Sequence, residues 1–410
     1  MKIGIFTSFY RYDPGYSLCA VVNDQLHALI ERGYKPVLFT LPMFEDDHLV
    51  PEGVEIRKIV PQIILEPYKE LNFPDHWKDD AKKVQTAVEE NCKDITHMIC
   101  HDLFFIDTFL PYNIGIRDAR CDFKIFAWTH SAPSNRPQLD NNPHANRYTL
   151  PPRTKLVYLN NDKSNALAEM YGAWLKDVRV IRNSRDPRTF WGMNELVIKI
   201  IREYTLFEAD IITVYPLSTP RMITGKGLDK VIKLHAKLKE LGYKTRLIVC
   251  NAHANAPRDK RAISDTKVWA QELGLMTEDL CFTSELAPEW EPGVPPKVVS
   301  DLFRISNVFI FPTVSENSSL VLLEAMLSGN LLVLNEKVGT LREHAGENAL
   351  YFDFDYRGDK EETERYYGDL AKILASQFSV NKSLQVKRRA LQEFNYSRVG
   401  RDIELLLHEE

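Results

Sequence analysis

Residues 307–335 read NVFIFPTVSENSSLVLLEAMLSGNLLVLN. The apolar runs VFIFP and NLLVLN are bounded by turn formers, and helix-forming residues lie between them, so the stretch spells strand, loop, helix, strand. Two parallel strands joined by a helix need this order, and a sheet covered by helices on both faces has strands that are apolar throughout. The alternation continues on either side, with IITVY, TRLIVC and LCFT upstream and ALYF downstream. An earlier series holds KIGIFT, KPVLFT, EIRKIV, THMIC, FKIFAWT, KLVYL and VRVI, with helices such as AVVNDQLHALIERG and WKDDAKKVQTAVEEN between them. The segment RNSRDPRTFWGMNE, rich in turn formers and without apolar periodicity, separates the two series. The expectation is an α/β protein of two Rossmann-like domains facing each other across a cleft. They cover residues 1–190 and 191–395, and a last helix over 396–410 crosses back to the first.

With 410 residues, 44% of them hydrophobic and 27% charged, the chain has enough apolar material for two cores. No stretch reaches the roughly 18 consecutive apolar residues of a membrane span. MKIGIFTSF lacks the apolar region and cleavage site of a signal peptide, so a cytoplasmic location is expected. The six cysteines are scattered without CxxC pairing, and Cys100, Cys250 and Cys281 fall in or beside predicted strands, as small buried thiols do. Neither disulfides nor a zinc site is expected. A net charge of −5 gives no global attraction to nucleic acid or anionic membrane, and leaves room only for a local basic groove.

In doubly wound folds ligands sit beyond the carboxyl ends of the strands. After VFIFP comes TVSEN and then a helix, for which Ser318 or Ser319 is the N-cap; the free N–H groups of its first turn make an anion site. Arg221 and Lys226, in the RMITGKG loop that follows IITVY, could close over the same anion, with Gly225 and Gly227 keeping the loop flexible. Glu324 sits in LVLLEAML, and a helix apolar all round is usually buried. A carboxylate there needs either an internal cation or the hydroxyls of a ligand. His130 follows the strand FKIFAWT; His101, beside Asp102 at the end of THMIC, reads as a capping arrangement for the next helix.

These pieces together resemble the retaining GT-B glycosyltransferases of the GT4 type. ENSSLVLLEAMLSGN is similar to the family's ExxxxxxxE signature EGFGLVLLEAMASG, with Glu316 and Glu324 at its ends. RMITGKGLDKVIKLHAKL resembles the R-x4-KG segment, IRNSRDPRTF resembles IPNGVDxxxF, and NVFIFPT resembles DVFVLPS. FNYSRVGRDIELL resembles the C-terminal FSWExVAxxxLxLY, and MKIGIFTSFY, PG and LIERGYKPVLFT resemble the opening strand, loop and helix–strand unit. The resemblance covers nearly the whole chain.

It implies transfer of a hexose, with retention, from a nucleotide-diphosphate sugar (UDP- or GDP-linked) to an acceptor hydroxyl, without a metal or other cofactor. Glu324 would bind the ribose. Glu316 and the backbone amides of Ser318, Ser319 and Leu320 would hold the donor sugar, and Arg221 with Lys226 would stabilise the leaving diphosphate. Gly15, in DPGYS, marks the loop that would meet sugar and diphosphate, and His130 matches the family's TxH position near the reacting centre. The sequence departs from the family in two places. ENSS replaces EGFG, and the N-terminal glycine pair has shrunk to Gly15 followed by Tyr16 and Ser17.

The acceptor could be a saccharide, a lipid-linked saccharide or, as in phage enzymes of the same fold group, a modified DNA base. The insert SNRPQLDNNPHANRYTLPPR would then form a groove from Arg136, Arg147 and Arg153 with His144 and Tyr148. A non-catalytic nucleotide-binding relative and a nucleotide-sugar epimerase are the alternatives. Asp353 and Asp355, in YFDFDY, spell the DxD metal motif of the other large glycosyltransferase fold, and read as a chance pair so late in the chain.

Overall fold

The computed structural model describes residues 1–13, 15–63, 76–131, 133, 147–217 and 226–409. They fall into two compact units, Met1–Asp186 with Phe394–Glu410, and Pro187–Glu393.

The first unit is built on a parallel sheet of seven strands. These are β1 (Lys2–Phe6), β2 (Lys35–Phe39), β3 (Glu55–Arg57), β4 (His97–His101), β5 (Lys124–Thr129), β6 (Thr154–Tyr158) and β7 (Val178–Val180). Their order is β3-β2-β1-β4-β5-β6-β7, so the winding reverses between β1 and β4. Successive side chains serve opposite faces, as the pleat requires. Phe6, Phe39, Cys100 and Ala127 pack on one face with the helices Trp77–Asn91 and Leu110–Asp118. Ile5, Leu38, Ile99, Phe126 and Trp128 pack on the other with the helices Ser17–Glu31 and Tyr396–Leu407. Those last two helices meet where Gly400 lies against Ala28; a Cβ at Gly400 would stand 3.0 Å from the Ala28 carbonyl oxygen. Asn395 starts the returning helix by accepting from the Arg398 N–H at 2.9 Å.

The second unit holds β8 (Ile211–Leu217), β9 (Thr245–Asn251), β10 (Leu280–Phe282), β11 (Val308–Phe311), β12 (Leu331–Asn335) and β13 (Ala349–Phe352). They form parallel ladders β10-β9-β8 and β11-β12-β13. A side chain joins the two. Asn307, just before β11, donates its backbone N–H to Ile212 O (3.1 Å), accepts from Ile212 N on Oδ1 (2.9 Å) and donates from Nδ2 to Asp210 O (2.9 Å). Asn307 is buried, so its amide takes the place of a ladder rung between β8 and β11 and leaves the buried groups paired. The segment expected to be irregular carries a short helix, Pro187–Phe190, because Pro187 at its start needs no N–H partner. Among the described residues the six cysteines are free thiols, and no helix is long and apolar enough to cross a membrane.

Candidate functional site

In the second unit β8 and β11 are neighbours where the winding reverses, and their carboxyl ends carry the two loops of interest. Lys226 and Gly227 follow β8. Gly227 has φ +82°, and a Cβ there would stand 2.8 Å from the Pro312 ring, so glycine is required both by conformation and by the approach of the next loop. Tyr215 from β8 donates its hydroxyl to the Lys226 carbonyl oxygen. The loop after β11 is pinned at two points: Asn335 Nδ2 donates to Thr313 O (3.0 Å), and Thr340 Oγ1 donates to Glu316 O (2.8 Å). The result places Lys226 Nζ 3.9 Å from Glu316 Oε1, both side chains partly exposed. Arg221 and Gly225 lie outside the described residues.

Of the two candidate caps, Ser319 is the one used. It is buried, it precedes the helix Leu320–Leu327, and its Oγ accepts from Leu322 N at 3.2 Å; Ser318 and Asn317 are exposed. The expected burial of this helix is corrected by the structure. Only Leu322 and Ala325 are buried, a stripe at helical spacing, while Leu320 is 72% and Leu327 90% exposed. A helix needs only one apolar stripe to pack, and here Ser319 and Asn330 secure its two ends. Glu324 is therefore exposed and needs no internal cation. Its charge reaches Cys250 near the carboxyl end of β9, where burial raises the thiol pKa and Glu324 adds to the rise.

In the first unit His101 ends β4 and His130 follows β5. His101 Nδ1 lies 2.9 Å from His130 Nε2, and His101 Nε2 lies 2.9 Å from Gln25 Oε1. Asp102, buried at φ +55°, does not cap a helix with its carboxylate as expected. Its Oδ1 accepts from the His130 N–H at 2.8 Å and the Ser131 N–H at 3.4 Å, which fixes the turn after β5. Burial pushes the His130 pKa down to about 4 and holds the His101 pKa well below its ordinary value, where the neighbouring His130 adds to the effect; both rings are neutral at pH 7. Gly15 sits in the turn before the helix Ser17–Glu31, with its N–H donated to Asp13 Oδ1 at 2.8 Å and the exposed Tyr16 at the helix start.

The arginine groove is not formed by its described members. Arg147 is buried, donates to the Tyr148 hydroxyl at 2.8 Å and stacks 4.8 Å from that ring. Arg153 lies at the amino ends of β5 and β6, where its carbonyl accepts from Ile125 N and its guanidinium faces Asp122 at 3.8 Å. That is the end of the sheet opposite His130. Arg136 and His144 lie outside the described residues.

Residues 212–355, which contain Lys226, Glu316, Ser319 and Glu324, match the family model described as Glycosyl transferases group 1. This segment is a group 1 glycosyl transferase domain. Over 221 residues the chain is 26% identical to mannosylfructose-phosphate synthase of Agrobacterium fabrum, a match that covers 51% of this chain and 45% of that protein. Among solved structures it is similar to a glycosyltransferase from Rickettsia africae, at 13% identity, a TM-score of 0.38 and coverage of 99% and 97% of the two chains. An E. coli trehalose-6-phosphate structure bound with UDP-2-fluoro glucose gives 12% identity, a TM-score of 0.37 and coverage of 100% and 99%.

At the end of the glycosyl transferase domain, Asp353 and Asp355 are both engaged by lysines, Lys337 at 2.8 Å and Lys230 at 3.2 Å. Sequence reasoning missed Thr340, Asn335 and Gln25. Gln25 had a signal: it shares the inward stripe of its helix with Val22 and Leu29, and a glutamine buried there must find a partner.

Proposed function

We propose that the chain is a retaining glycosyltransferase of the GT4 type and GT-B fold, moving a hexose from a UDP- or GDP-sugar to an acceptor hydroxyl. The observation that carries this reading is the approach of Lys226 to Glu316 at the winding reversal of the group 1 domain, beside the capped start of the helix Leu320–Leu327. Lys226, with Arg221, neutralises the diphosphate as it leaves, together with the backbone N–H groups at that helix start. Glu324, exposed and without an ion pair among the described residues, accepts hydrogen bonds from ribose hydroxyls. Glu316 holds hydroxyls of the donor sugar, and its loop is kept in place by Thr340.

The same reading needs no metal, because cationic side chains already serve the diphosphate and Asp353 and Asp355 are engaged by lysines. A saccharide acceptor is favoured over a DNA base, since Arg147 is buried and Arg153 points to Asp122, leaving no described arginine stripe to follow a phosphate backbone. Release of UDP or GDP from a panel of UDP- and GDP-hexoses, with and without mono- and disaccharide acceptors, tests the reading. Acceptor-stimulated release of one nucleotide is expected. A folded chain that binds these nucleotide sugars and releases nothing would overturn it in favour of a binding protein.

A further inference from the structure

We infer that Gln25 and His101 are positioning residues that fix the tautomer of His130, so that this ring meets a substrate only through a lone pair on Nδ1. The argument follows the hydrogen bonds inward to outward. A neutral imidazole has one N–H and one lone pair, and which nitrogen carries the proton is set by the partner of the other. Gln25 Oε1 can only accept, so His101 carries its proton on Nε2 and donates it across 2.9 Å. His101 Nδ1 is then a lone pair, and the 2.9 Å contact to His130 requires the His130 proton on Nε2. His130 Nδ1 is left as an acceptor, and no described residue is bonded to it.

The surroundings hold this chain in one direction. Gln25 and His101 are almost fully buried, and Asp102 grips the His130 backbone N–H, so the ring cannot trade partners without breaking a buried bond. A group approaching Nδ1 must donate a hydrogen bond. A sugar hydroxyl qualifies, whereas a phosphate or carboxylate oxygen, which brings lone pairs of its own, is repelled. His130 thus selects for a hydroxyl at the point where it meets substrate. That last role rests on the transferase reading above, while the tautomer does not.

The experiment is long-range proton–nitrogen NMR on the full chain labelled with nitrogen-15 histidine at pH 7, with the His130 signals assigned by their absence in His130→Gln. A pyrrole-type Nε2 and a pyridine-type Nδ1 are expected for His130. Gln25→Glu, which still accepts, should keep the pattern, and Gln25→Met should erase it and lower acceptor-dependent turnover about tenfold or more, by analogy with the partners that orient metal-bound histidines. A His130 ring protonated on Nδ1 in the unaltered chain would overturn the inference, and so would an unchanged pattern in a folded Gln25→Met. If the expected pattern appears but neither nucleotide sugars nor saccharides shift the His130 signals, the tautomer assignment stands and the contact of His130 with substrate fails.

Discussion

Lys226 Nζ stands 3.9 Å from Glu316 Oε1, a cation and a carboxylate brought together by the loops after β8 and β11. The pair is long and partly exposed, and pairs of that kind contribute about 0 to 1 kcal/mol to stability. The groups are placed at little energetic advantage to the fold and can exchange each other for a ligand.

Replacing Lys226 should therefore affect turnover and spare the fold. Lys226→Ala is expected to lower the rate of sugar transfer by about a hundredfold, the usual loss when one group stabilising developing charge is removed. The unfolding free energy should move by less than about 1 kcal/mol. Steady-state kinetics beside thermal unfolding decide it. A destabilised variant with normal turnover would make the pair structural.

Glu324→Gln should act on nucleotide affinity. A hydrogen bond to a charged acceptor contributes about 1.5 kcal/mol or more, so calorimetric Kd values for UDP or GDP should rise about tenfold. The carboxylate is exposed, so the melting temperature should not change. Equal affinity in both proteins would remove Glu324 from the ribose site.

Gly227→Ala should damage both stability and binding. A non-glycine residue in the left-handed region costs about 1 to 2 kcal/mol, and the added Cβ would also press on Pro312 from 2.8 Å. A lower melting temperature with weakened donor binding is expected, because relief of the clash must move the loop that carries Lys226. Wild-type stability would show that the two loops do not depend on this approach.

The strands were legible in the sequence because buried parallel strands leave an uninterrupted signal: IGIF, LIVC and VFIF are apolar on both faces. The position of the capped helix was legible from ENSSLVLL for the same local reason, a serine ahead of an apolar run. What stayed hidden depends on pairings between distant residues. Nothing in the letters around Asn307 shows that its amide bridges two ladders, nor that Thr340 holds Glu316, nor that His101 turns toward Gln25 and His130 rather than toward a helix end. Glu324 is exposed, against the expectation of burial, because two of the seven apolar residues around it in LVLLEAML suffice for packing and the rest of the helix faces outward.

Acid should destabilise the second unit partly through His235. This ring is fully buried against Thr213, and burial lowers its pKa to about 4 from an ordinary 6.5. Between those values the unfolded chain binds a proton that the folded one refuses, so this contribution is intact above about pH 6.5 and is lost as pH falls toward 4. Denaturant unfolding of the native chain and of His235→Gln at pH 7 and pH 5 should show the native chain losing roughly 2 kcal/mol more than the variant over that interval. Parallel losses would mean the ring is protonated in the fold.

Retaining, metal-independent transfer from a nucleotide sugar meets its most direct test in a proton NMR time course with the accepted UDP- or GDP-hexose, a saccharide acceptor and EDTA. The product should appear first with the anomeric configuration of the donor, in step with release of the nucleotide. Product of inverted configuration, or transfer that stops with EDTA and resumes with manganese or magnesium, would contradict it.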